Sequence, residues 1–290
     1  MSTRKIFRDY DQAALDKQYN SRAAVPEHVQ HVERWTRDGD KACEQLPHHL
    51  DVAYGDGDAE QLDVFPATAS GPAPVQVFFH GGYWMSRDKS NFRFLARTFV
   101  PAGAVFITVN YGLLPAVDID ELVHQCRAAV AWVYGHVKNF GGDPDRIHVS
   151  GHSAGGHVVA MLMATDWAEF ADLPDALIRG GCAVSGLFDL IPVRLCYLNE
   201  TLRLTPKHVS RNSPMQLAPL STAPLILACG GLESDEFRRQ SAELGAVWNQ
   251  QGASCQVMER PGFNHFTIVH DLSDRRAPLA QAVLTQMRLA

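Results

Sequence analysis

No C-x-x-C pair occurs in the chain. The six cysteines, at positions 43, 126, 182, 196, 229 and 255, show no spacing that suits a zinc site. Several sit inside apolar runs, where cysteine behaves as a small hydrophobe. They are read as reduced thiols of a cytoplasmic protein, since that compartment disfavours disulfides. Long hydrophobic runs are missing too. The stretch 158–164 is too short for a membrane span, and Asp189 interrupts the run around Leu187. The opening MSTRKIFRDYDQ lacks the apolar segment of a secretory signal. Positive charge is not in excess: the net charge of -6, with His neutral, gives no basic footprint for nucleic acid. No internal repeat or low-complexity tract is present. These absences set aside nucleic acid and membranes as partners and leave small molecules; a homodimer is compatible with the sequence, which specifies no oligomeric state.

What is present is ordinary globular material. With 290 residues, 46% hydrophobic and 20% charged, the chain is long enough for one α/β domain spanning residues 1–290. The small-residue stretch ATASGPAP at 67–74 suits a turn between strands better than a domain boundary. Beyond it, strand and helix patterns alternate. Short apolar runs at 75–79, 104–109, 146–150, 182–184, 225–228 and 256–258 read as strands. Between Ile119 and Val137, apolar residues fall at 119, 122, 123, 126, 130, 133 and 137, one buried helical stripe. Gly141-Gly142-Asp143-Pro144 is expected to end that helix and open a turn. Helices are expected from Gly155 onward and over 277–289. Strands separated by helices predict a mostly parallel sheet covered on both faces. Two segments break the alternation. Residues 10–50 look helical but loosely packed, and 191–216 interrupt the pattern after a strand; both are candidate cap segments over a site, or plain surface decoration.

Chemistry gathers at predicted strand ends, where such sheets place their sites. Gly151-His152-Ser153-Ala154-Gly155 matches G-x-S-x-G between a strand and a helix, the context in which that pattern exposes a nucleophilic serine. The helix N-terminus beneath Ser153 would face a developing oxyanion with its positive end. His80-Gly81-Gly82-Tyr83-Trp84 follows the strand at 75–79 and is similar to the HGG oxyanion motif of lipases and esterases. The expected oxyanion donors are the N–H groups of Gly81, Gly82 and Ala154. Losing one such donor costs about 3 kcal/mol of transition-state stabilisation. His80 reads as a loop-holding residue. Tyr83 and Trp84 are candidate substrate contacts, able to stack on an aryl group, or simple packing around the loop.

A serine hydroxyl needs a base. Among thirteen histidines, His265 stands out by place, in the turn Pro261-Gly262-Phe263-Asn264-His265-Phe266 after the last strand. His270, the other late histidine, falls further along an expected helix. The triad acid should follow the strand at 225–228, where Glu233, Asp235 and Glu236 compete. Glu233 lies nearest the strand end and fits best a loop reaching back to the imidazole; Asp235 is the runner-up, and Glu236 suits the start of the next helix.

Taken together, HGGYW at 80–84, GHSAGG at 151–156, ESDEFRRQS at 233–241, NHF at 264–266 and the N-terminal YDQAALDKQYN make the chain similar to the arylformamidase (kynurenine formamidase) branch of the α/β-hydrolases, close to the hormone-sensitive-lipase-like esterases. The resemblance implies the α/β-hydrolase fold with a small cap, Ser153, Glu233 and His265 in the triad positions, and hydrolysis of an N-formyl arylamine to release formate. The family's acid is often Asp, so Glu233 departs by one methylene. The lipase-like esterases usually show GDSAGG and Y-R-L-x-P; His152 and Gly112 break those patterns here. The expected chemistry is two-step acyl transfer with no metal or organic cofactor. The rival enzyme reading is a carboxylesterase for short acyl esters, and the rival outside enzymes is a binding protein on the same fold.

Overall fold

The computed structural model describes residues 4–68 and 71–290. The first residues of the opening segment, 1–3, and residues 69 and 70 of the expected 67–74 turn lie outside the described residues. Eight strands build the sheet: β1 (His49–Ala53), β2 (Gln61–Phe65), β3 (Ala73–Phe79), β4 (Val105–Val109), β5 (Gly142–His152), β6 (Ile178–Val184), β7 (Leu225–Gly230) and β8 (Cys255–Arg260). Their order is β1-β2-β4-β3-β5-β6-β7-β8. All pairs from β4 to β8 are parallel, while β1 and β2 are antiparallel additions at one edge. This is the α/β-hydrolase fold.

Strand alternation explains why both faces are apolar. On β3, Val75, Val77 and Phe79 enter one core and Phe78 the other; on β7, Leu225 and Leu227 oppose Ile226 and Ala228. The first core is closed by the helices Ile119–His136, Ala154–Met163 and Asp235–Gln250, the second by His28–Gln45, Ile268–Ser273 and Pro278–Gln286. Helix Ile119–His136 buries the stripe its spacing predicts, and the Asp118 side chain caps it by accepting from Glu121 N–H.

Connections from β3 and β5 leave toward opposite edges, because β3 leads to β4 on one side and β5 leads to β6 on the other. A crevice opens at the carboxyl ends of two such strands.

Several expectations need correction. Gly142 to Pro144 do not form a turn. Gly141, left-handed at φ 78°, ends the preceding 3-10 turn, and β5 starts at once, with Gly142 paired to Ala73. The antiparallel strands β1 and β2 escaped the sequence reading; β1 is largely exposed, so it carries no apolar signature. Residues 10–50 are not loosely packed. Leu15, Tyr19, Trp35 and Ala42 are buried, and the Trp35 ring lies 5.4 Å from Phe92 and 6.1 Å from Phe266. Residues 191–216 form short helices docked on this N-terminal segment, where Tyr197 N–H donates to Asp16 at 2.8 Å. No helix among the described residues is long and apolar enough to cross a membrane. All six cysteines are free thiols.

Candidate active site

Ser153 sits between the last residue of β5 and the helix Ala154–Met163, at φ 58° and ψ -116°. A non-glycine residue in so sparsely populated a region costs about 1–3 kcal/mol, held by surrounding structure. Here Ser153 N–H donates to Val184 O at 2.8 Å, and His157 N–H to Ser153 O at 3.1 Å. The turn closes tightly: a Cβ on Gly155 would stand 1.9 Å from Phe79 O. Only glycine lets the helix start against the end of β3.

His265 reaches the same point from beyond β8. Its Nε2 lies 3.1 Å from Ser153 Oγ and its Nδ1 2.7 Å from Glu233 Oε2. With Glu233 ionised, Nδ1–H donates to the carboxylate and Nε2 is left to accept from the hydroxyl. The other carboxylate oxygen accepts from Gly230 N–H at 2.7 Å and Ser185 Oγ–H at 2.5 Å. All three side chains are buried. Asp235 and Glu236 do not approach His265. Asp235 opens the helix Asp235–Gln250 and pairs with Arg238 in solvent; Glu236 is buried instead, taking hydrogen bonds from Tyr19 Oη–H at 2.9 Å and Arg239 at 2.7 Å. His270 lies in helix Ile268–Ser273, with its ring 6.4 Å from that of Trp35.

The loop after β3 lies across the crevice. Gly82 has φ 115°, a region closed to most side chains, and its Cβ would fall 2.0 Å from Ser86 O. Among the described residues, no carbonyl accepts from the N–H of Gly81 or Gly82, and Ala154 N–H, first in its helix, has no intrahelical acceptor. These groups are free to serve an oxyanion. His80 stacks on Tyr111 at 4.2 Å, while Tyr111 Oη–H donates to His80 O at 2.6 Å. Burial pushes the His80 imidazole down to about 4, so it stays neutral.

A narrow cleft opens on Ser153, lined by Gly81, Gly82, Tyr83, His152 and His265, by Trp35, Phe92 and Phe266, and by Ser21, Arg22 and Arg87. Tyr83 therefore contributes to the wall, its hydroxyl donating to Tyr19 O at 2.6 Å. Trp84 does not. It is fully buried, and its indole N–H donates to His157 Nδ1 at 3.2 Å. The segment 10–50 supplies wall residues, whereas none of the lining residues comes from 191–216.

Four participants were missed from sequence. Ser185, left-handed at φ 52°, follows β6 as Ser153 follows β5, and that strand-end position is the one signal it carries. His152 donates from Nε2 to His265 O at 2.8 Å, tying the serine turn to the histidine loop. Burial, seconded by the nearby His265, holds its pKa well below the usual imidazole value. Arg22 and Arg87 belong to no recognisable pattern.

A buried serine, histidine and carboxylate in series on this fold define a class, the α/β-hydrolases that cleave acyl bonds. Comparison with known proteins narrows it. The BD-FAE family model matches residues 62–176. The kynurenine formamidase of Salmo salar is 35% identical over 82% of this chain and 81% of its own length; that of Danio rerio is 34% identical over 81% and 80%. A crystal structure from Silicibacter sp., provisionally described as a thioesterase, superposes with a TM-score of 0.81 at 30% identity, covering 93% of this chain and 98% of that one. The chain belongs to the kynurenine formamidase family. It is a hydrolase acting on an amide or ester.

Proposed function

We propose that this chain hydrolyses an N-formyl arylamine to formate and the free amine through a formyl-serine intermediate. The observation that carries the reading is the Ser153–His265–Glu233 hydrogen-bonded series in a chain 35% identical to a kynurenine formamidase. His265 Nε2 takes the Ser153 proton as Oγ attacks the formyl carbon. The N–H groups of Gly81, Gly82 and Ala154 receive the oxyanion. Collapse breaks the C–N bond, and His265 gives its proton to the departing nitrogen. Water, deprotonated by the same imidazole, then attacks the formyl-serine and frees formate. Glu233 holds the imidazole in the required tautomer and stabilises its cationic form. The segment 10–50 serves as the cap over this site.

A second reading, short-chain carboxylesterase, has support in esterase LipC of Mycobacterium tuberculosis, 35% identical over 81% of this chain and 64% of that protein. Turnover of an N-formyl anilide beside a p-nitrophenyl ester separates the two; exclusive ester cleavage rejects the formamidase reading. A fluorophosphonate probe should label the protein, and Ser153→Ala should abolish both labelling and turnover while the fold persists. Labelling that survives in the variant would remove Ser153 from the mechanism.

A further inference from the structure

At the opposite end of the sheet from Ser153, three arginines from separate segments line one basin: Arg146 on β5, Arg179 on β6, and Arg288 after the helix Pro278–Gln286. The basin lies near the amino ends of these strands, where Ile147 pairs with Ile178, roughly 20 Å along β5 from the nucleophile. In a chain of net charge -6, such a cluster is not the by-product of a basic surface. Among the described residues, no carboxylate lies within ion-pair distance of any of the three, and Asp145 borders the basin without pairing. Backbone oxygens fix two of them: Arg179 Nε donates to Asp145 O at 2.8 Å, and Arg146 Nη2 to Met287 O at 3.2 Å. Each guanidinium keeps further N–H donors free. Arg288 holds a left-handed backbone, φ 60°, which is unfavourable for a non-glycine residue. The basin has a packed floor. His148 is buried there with its Nδ1 3.0 Å from Arg146 O. Gly180 leaves room for it, since a Cβ at that position would fall 2.9 Å from His148 Cδ2 and 3.0 Å from Gln286 Oε1. Burial lowers the His148 pKa, and the charges of Arg146 and Arg179 lower it further. Like charges gathered at one basin destabilise each other until an anion enters.

We infer that this basin is a second ligand site, apart from the catalytic cleft, that binds a dianionic phosphoryl group, as free phosphate or as a phosphate monoester. A planar carboxylate fills one guanidinium fork, whereas a tetrahedral phosphoryl group presents oxygens toward several at once. The inference is independent of which acyl bond Ser153 cleaves.

The test is titration calorimetry of the full chain at low ionic strength with inorganic phosphate, glycerol phosphate and, as a dicarboxylate control, succinate. Phosphate binding should be saturable. Arg179→Met and Arg288→Met should each weaken it about tenfold, as expected for the loss of a charge-assisted hydrogen bond, and Arg288→Lys should keep part of the affinity. About 0.5 M NaCl should weaken binding by screening. In NMR titrations, the His148 imidazole, assigned by comparison with His148→Gln, should titrate at higher pH when phosphate is bound, because a nearby anion favours the cationic form. Turnover at Ser153 should be unchanged in Arg179→Met and Arg288→Met, which separates loss of the site from loss of the fold. The tighter of the two phosphates identifies the ligand as the free ion or the monoester. Absence of saturable phosphate binding, an affinity unchanged in both arginine variants, or succinate bound as tightly as phosphate overturns the site. Both arginines are exposed, so both variants should fold; if one does not, the other decides.

Discussion

At the scale of single residues, position relative to strand ends decides which carboxylate meets the imidazole. Three acids crowd into 233–236. Glu233 precedes the helix and folds back to accept from Gly230 N–H, whereas Asp235 already lies in the helix and faces solvent. Glu233→Ala should therefore lower kcat by about a hundredfold or more, and Asp235→Ala by a few-fold at most. Steady-state kinetics on one substrate check this, and equal or reversed effects would move the proposed acid. The same scale shows where side-chain identity misleads. Trp84 sits in the motif beside Tyr83, yet its indole turns into the core to His157. Neighbours in sequence need not face one cavity when both have positive φ, 52° at Tyr83 and 57° at Trp84.

At the scale of elements, the strand-to-helix turn at Ser153 depends on close approach of backbones. Gly155→Ala places a methyl group against Phe79 O, a rigid neighbour, and should cost about 3 kcal/mol. Gly135 is a control in helix Ile119–His136. Its added Cβ meets nothing within 4 Å, so Gly135→Ala should stabilise by about 0.5–1 kcal/mol. Urea midpoints of the two variants should move in opposite directions; a shift of the same sign in both would refute the packing argument. The long helix His28–Gln45 shows what element-level patterning leaves out. Its helical character was legible, but its partners were not, because Phe92 and Phe266 arrive from distant segments of the chain.

For the whole molecule, buried neutral histidines set the response to acid. Burial lowers His80 and His157 to about 4 and holds His152 well below its ordinary value. In the unfolded chain such groups titrate near 6.5. Between about pH 6.5 and 4 the unfolded state thus binds more protons than the native state, and stability falls as pH falls. Each of His80 and His157 contributes on the order of 3 kcal/mol of loss by pH 4. Urea midpoints should decline steadily from pH 7 to 4.5, and His157→Gln should flatten the slope. A midpoint that is level across that window would show these imidazoles to be protonated in the native state.

Local pattern alone determined the fold class, because short continuous apolar runs, the mark of strands buried on both faces, alternate with helical segments. It also marked Ser153, Gly81, Gly82 and His265, since motifs at strand ends need only local geometry. Tertiary structure decided the rest. β1 and β2 join the sheet through an antiparallel edge, and the exposed residues of β1 leave no hydrophobic signature. Ser185, His152, Arg22 and Arg87 come to the site because four separate segments converge on one crevice. Such convergence is a property of strand order, which no spacing within a single segment can report.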